Sequence, residues 1–489
     1  MRRFRSPISR LAMAATVAWP LAYAAESIAE TPPLPSIAPP PVDAPGPAEF
    51  RVGRSIVAEA AGAGIASDAG SARHVPVPMP SHPLPAPATP AEYVGRVTLA
   101  ELENLALAHN PTLEQARSGT WEAYGRRVQA GLYPNPEVGY SASEIGNNGA
   151  AGQQGIYLNQ EFVTAGKLRL SSAVEAHRQR QAQHVVEAQE QRILTAVRRE
   201  FYAVLAARRT LAIAEELEQV SDRGVRTTEA RLEAREGTRL DVLQARIEAD
   251  RARLVARTAE NDHRAAWQRL AAILGLPDFQ PAELAGDLER RLAPVTWDDA
   301  WARLSGTSPQ LAEARAGVDR AAVALKRAEA QPVPNIFLQA GVLHDFSSDD
   351  QIANVQLGVP LPIFDRNQGN IASAQADYIR ACREVQRRDL VLQRGLANVY
   401  RDYANAQAQV EKYRESILPA ARESYDLSRS LFDAGETSYL QLLTAQRTFA
   451  QTNIEYVERL AELWQSVVAI EGLLLTDGLA DPTLGMPVE

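Results

Sequence analysis

Hydrophobic and polar positions fall into two kinds of pattern along this chain. Four short segments alternate with the two-residue period of a strand. Val355, Leu357 and Val359, for example, are separated by Gln356 and Gly358. The predicted strands are 138–144, 154–162, 336–344 and 352–360, and Tyr140, Ile156 and Tyr157 are the main apolar anchors of the first pair. Gly146 to Gly152 and Ser347 to Asp350 read as exposed loops between paired strands. The second pattern is helical: Leu392, Leu396, Val399, Tyr403, Ala406, Val410, Tyr413 and Ile417 are spaced alternately four and three apart, which is a coiled-coil seam. Leu194, Val197, Phe201, Val204 and Leu211 mark a similar seam, interrupted by Arg208.

These helices are too long for an ordinary globular domain. Residues 167–232 contain no proline, and about 65 residues of helix span about 100 Å. The counterpart is expected over 371–432. Shorter helices follow turns at Gly237 and Gly435 and run to about Ile273 and Leu474. A short helix precedes each strand pair, opened by Asn110-Pro111 and Ser308-Pro309, where a capping side chain stands before a proline at the first helical position. Stacked on the helix after the turn, it reaches about 90 Å, enough to lie along the long one.

The same order of elements occurs twice. Val97-Thr98 matches Val295-Thr296, Pro134-Asn135-Pro136 matches Pro332-Val333-Pro334, and Leu240-Asp241-Val242-Leu243 faces Leu440-Gln441-Leu442-Leu443, always about 200 residues apart. Such a duplication predicts a pseudo-symmetric structure whose function lies in what the copies enclose. We assign 96–294 to the first repeat, 295–476 to the second, and 477–489 to a tail.

Arg2, Arg3, Arg5 and Arg10 precede an apolar run over 11–22 and the triplet Ala22-Tyr23-Ala24, the pattern of a secretory signal cleaved after Ala24. The run is too short for a membrane anchor and contains Pro20. Without a transmembrane helix, a β-barrel is the one way the mature chain crosses a bilayer. Residues 25–95 are proline-rich and read as a tether without a core.

Composition then removes whole classes of function. The formal charge of −9 argues against nucleic acid as a partner, and Cys382 is the one cysteine, which rules out an internal disulfide. The seven histidines form no compact ligand motif and the four methionines are dispersed, so no metal site, cofactor or enzymatic constellation is expected.

With these features in place, the run Val359-Pro360-Leu361-Pro362-Ile363-Phe364-Asp365-Arg366-Asn367-Gln368-Gly369-Asn370-Ile371 resembles the TolC-type outer-membrane efflux proteins, and within them the CzcC-like branch of heavy-metal exporters. Leu158 to Lys167 in the first copy is similar to that branch as well. The resemblance implies a mainly α fold with a membrane β-barrel: four strands from each of three chains form a twelve-stranded barrel in outer-membrane lipid, continued by an α-helical tunnel across the periplasm. It implies a homotrimer, with a periplasmic adaptor and an inner-membrane pump of the RND type as further protein partners. Passive export of divalent metal is the leading reading. Drug efflux and type I secretion are alternatives within the family, while a periplasmic adaptor or a structural coiled coil lies outside it.

Site residues follow residue by residue. Pro360 and Pro362 end the last strand, and Asp365, Arg366, Asn367 and Gly369 form the turn into the helix. At the far end, glycine permits a left-handed cap and Thr or Ser caps the next helix. The resemblance adds adaptor docking there, at Gly237, Thr238, Gly435, Thr437 and Ser438. Arg235 stands where comparison with Gly435 expects glycine. Family members often narrow the pore with a carboxylate pair just past the second tip, whereas this chain has Gln441 and Thr444. Asp241 and Glu436 are the remaining acidic constriction candidates, and Asp241 reads equally as a helix-start acid.

Overall fold

The long seams dictate the architecture. In the computed structural model, which describes residues 96–146, 149 and 151–482, helix α3 runs unbroken over Lys167–Glu233. It is preceded by a strand β1 (Arg96–Thr98), helices α1 (Leu99–His109) and α2 (Pro111–Gly131), and strands β2 (Glu137–Ser143) and β3 (Gln153–Phe162). Helix α4 (Arg239–Leu274) returns along it. A connector carrying strand β4 (Glu283–Ala285) then leads into the second copy: α5 (Trp297–Thr307), α6 (Pro309–Ala330), β5 (Ile336–Asp345), β6 (Asp350–Gly358), α7 (Gln368–Lys412), α8 (Leu418–Asp433) and α9 (Tyr439–Glu471). The signal sequence and proline-rich leader lie outside the described residues, as does most of the tail.

The stacking of two short helices against one long one is visible in side-chain pairs. Near the strands, α2 meets α3 through Arg127 and Gln179 (3.3 Å). Toward the tip, α4 meets it through Arg253–Asp222 and Arg246–Glu229, both at 2.7 Å. Between them, Asn110 caps α2 with its Oδ1 on the Thr112 N–H and donates its Nδ2 to Ile273 O, 2.8 Å away in the last turn of α4. Ser308 occupies the matching position before α6, but its hydroxyl makes no cap hydrogen bond.

Leu392, Leu396, Tyr403, Ala406 and Val410 of the predicted seam are buried, with Val399, Tyr413 and Ile417 half-buried beside them. One expectation fails: 371–432 is not a single helix. Residues Tyr413–Ile417 form a π-turn, closed by the Leu418 N–H on Tyr413 O. Pro419 is the cause, because it has no N–H to donate and its ring would strike the Glu415 carbonyl in a regular helix. The first copy has no proline there and no break.

Both halves contribute to a core at mid-length, where the short helices meet end to end, and a second cluster around Leu311, Leu396 and Leu460 belongs mainly to the second copy. Leu102, Leu113, Ile193, Leu270, Leu274 and Val468 lie at the centre of the mid-length core, and Trp464 of α9 stacks on Tyr202 of α3 at 3.8 Å. The connector is pinned into this core, which takes in its Phe279, Leu284 and Leu288, by Trp267 Nε1 on Phe279 O and Trp464 Nε1 on Leu288 O. A short parallel pairing of β1 with β4, which no periodicity announces, closes the same belt.

At the other end the four longer strands form one antiparallel sheet in the order β2-β3-β5-β6, and the bond between repeats is β3 to β5. β2 and β6 each keep one unpaired edge. The helical row ends likewise, with Leu243, Ile247 and Leu254 of α4 and Ile379 and Leu390 of α7 exposed on the chain's flanks. A sheet with two open edges does not exist in lipid, and further copies of the same sheet close it. No helix among the described residues is long and apolar enough to cross a membrane.

Candidate functional site

The alternation of each strand sorts the sheet into two faces. Cross-strand partners share a face, so the register Val138–Leu158–Ala340–Val355 and its neighbour Tyr140–Ile156–Val342–Ala353 build an apolar surface. The line next to Val138 on its other side, Glu137, Asn159, Gln339 and Gln356, belongs to the polar face. One face suits hydrocarbon and the other a water-filled lumen.

Below the sheet, Pro360 and Pro362 stand just beyond the end of β6, as their missing donors require. The turn into α7 is held by the Asn367 N–H on Asp365 Oδ1 (2.9 Å) and the Arg366 N–H on Gln368 Oε1 (2.8 Å). Asn367 takes the left-handed conformation at φ 61°, the place Gly166 holds before α3 at φ 64°. Gly369 plays no part in the turn; it already lies in α7 with no positive φ.

Sequence reasoning assigned no role to Lys167, which is 3% exposed at the start of α3. Its ammonium donates to Val333 O and, at 2.7 Å, to Asn335 Oδ1. Asn335 Nδ2 in turn donates to Glu161 Oε1 at 2.6 Å, and Thr164 Oγ1 to Pro334 O at 2.6 Å. Burial, and then the neighbouring Arg327, pull the Lys167 pKa below the ordinary lysine value. This cluster fastens the first repeat to the second where barrel becomes tunnel. The signal was present in the sequence: a lysine opening a helix opposes the dipole and needs acceptors of its own.

The two tips are built alike. After α8, the Glu436 N–H reaches Leu431 O (2.9 Å) and the Gly435 N–H reaches Phe432 O (3.0 Å), with Gly435 left-handed at φ 75°. After α3 the same pair of bonds joins Glu236 to Arg231 O (2.8 Å) and Arg235 to Leu232 O (3.1 Å). Both are Schellman caps. The left-handed residue of the first tip is therefore Arg235, at φ 61°, and not Gly237 as expected. Arg235→Gly should raise stability by about 0.5–1 kcal/mol, the steric cost of a left-handed side chain less glycine's entropy. Hydrogen exchange across the first tip measures it, and faster exchange in the variant would refute the account.

Thr238 caps α4, and the Asp241 carboxylate answers with Oδ2 on the Thr238 N–H (2.9 Å) and hydroxyl (2.7 Å), completing a capping box. Asp241 is thus engaged in its own helix start. Ser438 holds the N-cap position of α9 but its side chain makes no cap bond; Thr437 Oγ1 pairs instead with Gln441 Oε1 at 2.6 Å. Gln441 and Thr444 are exposed along the same side of α9.

Behind the tips the hairpins are tied together. The Arg231 guanidinium lies 4.2 Å from the Phe432 ring centre, and Arg447 of α9 pairs with the buried Glu248 of α4, Nε to Oε1 at 3.2 Å. Tyr439 is packed beside them, its phenol pushed up to about 12 by burial and by the Glu248 and Asp241 carboxylates. Among the described residues no group of histidine, cysteine or carboxylate side chains is placed to hold a metal.

The family model for outer membrane efflux proteins matches residues 102–276 and 303–474, one segment in each copy. The cobalt-zinc-cadmium resistance protein CzcC of Cupriavidus metallidurans is 27% identical over 391 residues, covering 79% of this chain and 92% of that one. Protein CyaE of Bordetella pertussis is 27% identical over 421 residues, covering 80% and 86%. The solved structure of the outer membrane protein VceC from Vibrio cholerae superposes with a TM-score of 0.64 at 21% identity, covering 77% of this chain and 95% of that one. A duplicated match, a two-faced sheet with open edges and a shared backbone course lead to one assignment: the chain belongs to the outer membrane efflux protein family, trimeric channels that work with an adaptor and an inner-membrane pump.

Proposed function

We propose that this chain is the passive outer-membrane duct of a tripartite exporter of divalent heavy-metal cations, fed by an RND-type pump. The observation that carries the reading is the similarity to CzcC along 92% of that protein, whose name states resistance to cobalt, zinc and cadmium. The polar sheet face supports it, since three copies present Glu137, Asn159 and Gln339 to the lumen. The adaptor docks at Gly237, Thr238, Gly435, Thr437 and Ser438. The constriction is lined by Gln441 and Thr444, with Glu436 and Asp241 supplying the nearby charge.

Deleting the gene should lower tolerance of its host to cobalt, zinc and cadmium and leave tolerance to dyes, detergents and antibiotics unchanged. The converse pattern would move the chain to drug efflux. Loss of an exported protein with both tolerances intact would move it to type I secretion.

A further inference from the structure

Past Gly358 the chain leaves the sheet with a row of apolar side chains in the open: Val359, Leu361, Ile363 and Phe364, of which Leu361 is 74% and Phe364 91% exposed. The row is held rigid. Pro360 and Pro362 fix their own φ angles, the Ile363 N–H donates to Leu361 O at 2.9 Å, and Asn367 Nδ2 ties the far end to Ala328 O at 2.8 Å. A preformed apolar surface of this kind marks an interaction site, and its rigidity removes most of the ordering cost of binding.

Its position in the sheet names the occupant. The row continues β6, whose outer edge is unpaired, and β6 runs antiparallel to the direction of β2 at the opposite edge. When three copies close the barrel, β6 of one chain lies beside β2 of the next. Residues 359–364 then come alongside the start of that β2 and the segment leading into it. There Leu132, Tyr133 and Val138 are each more than half exposed among the described residues.

We infer that residues 359–364 form an inter-subunit hook: Leu361, Ile363 and Phe364 pack on the next copy's Leu132, Tyr133 and Val138 and seal the joint between barrel and tunnel. The inference rests on the trimeric barrel described above and extends it to a contact outside the strand ladder. Lipid is the competing occupant. The hook, however, is irregular backbone running straight into Asp365, Arg366 and Asn367, and hydrocarbon excludes lipid-exposed irregular chain.

The test uses the full chain in outer-membrane vesicles on a Cys382→Ser background, which removes the one native thiol. Phe364→Cys combined with Tyr133→Cys should give covalent dimers and trimers on mild oxidation, and neither single variant should do so. Phe364→Trp in the same vesicles should show little quenching by brominated phospholipid. An intact non-covalent trimer without cross-links, or strong quenching of the tryptophan, would overturn the hook. A Cys382→Ser protein that is monomeric in the membrane would overturn the trimeric reading and the hook with it.

Discussion

Gly275→Ala is expected to destabilise the protein by about 3 kcal/mol or more and to abolish the detergent-resistant trimer. Two penalties add. Gly275 ends α4 in the left-handed region at φ 73°, where an alanine side chain costs about 1–2 kcal/mol. An added Cβ would also stand 2.4 Å from His109 O and 2.8 Å from His109 C, backbone atoms that are not free to give way. The corner between α1 and α2 is anchored by Asn110 to Ile273 O on one side and to Thr112 on the other, so relief at one contact strains the next. Thermal melting of the purified protein is the measurement. Gly166→Ala is the control, because that glycine shares the left-handed geometry and a Cβ there meets nothing closer than the Arg169 guanidinium at 3.8 Å. Equal losses in the two variants would show that conformation alone, and not the close approach at the corner, sets the cost.

This contrast also explains which parts of the fold were legible in the sequence. A seam repeated over many turns is a redundant signal, so the α7 seam and the span of α3 were readable within a residue or two. The strand pairs were readable because prolines and glycines bound them, and alternation had only to place the faces. The β1–β4 pairing is three residues long, too short for any period to register, and it exists because the belt around the core holds the two segments together. The π-turn was missed for a different reason. The heptad pattern runs through Tyr413 and Ile417 without a fault, and the wide turn keeps those positions on the seam while accommodating Pro419.

The functional ends follow the same division. Pattern located both tips, but the local cap geometry decided which residue turns left-handed. Gly237 drew attention by its type, whereas the Schellman bonds select the second residue past Glu233, which is Arg235. Lys167 and Asn335 lie 168 residues apart, so the local sequence announces that a helix-opening lysine needs acceptors but not which residues supply them. The capping box at Asp241 was half legible: the acid three residues after Thr238 is a known start signal, and its engagement weakens the case for a free carboxylate ring.

Gly435→Val should abolish export while leaving the trimer assembled. The residue is left-handed at φ 75°, a conformation that β-branched side chains essentially avoid, yet a Cβ there meets nothing within 4 Å. The cost is therefore conformational and local, and it falls on the two Schellman bonds that close the tip rather than on the mid-length core, more than four helical turns away at Trp464. With the cap lost, Glu436, Thr437 and Ser438 no longer hold the positions proposed for docking. Metal tolerance of cells carrying the variant should fall to that of the deletion strain, and the adaptor should no longer co-purify with the channel. The melting temperature of the trimer should stay close to that of the parent, in contrast to Gly275→Ala. Wild-type tolerance with a rearranged tip would show that the second turn is not the docking surface and would leave Gly237 and Thr238 at the first tip as the place to look.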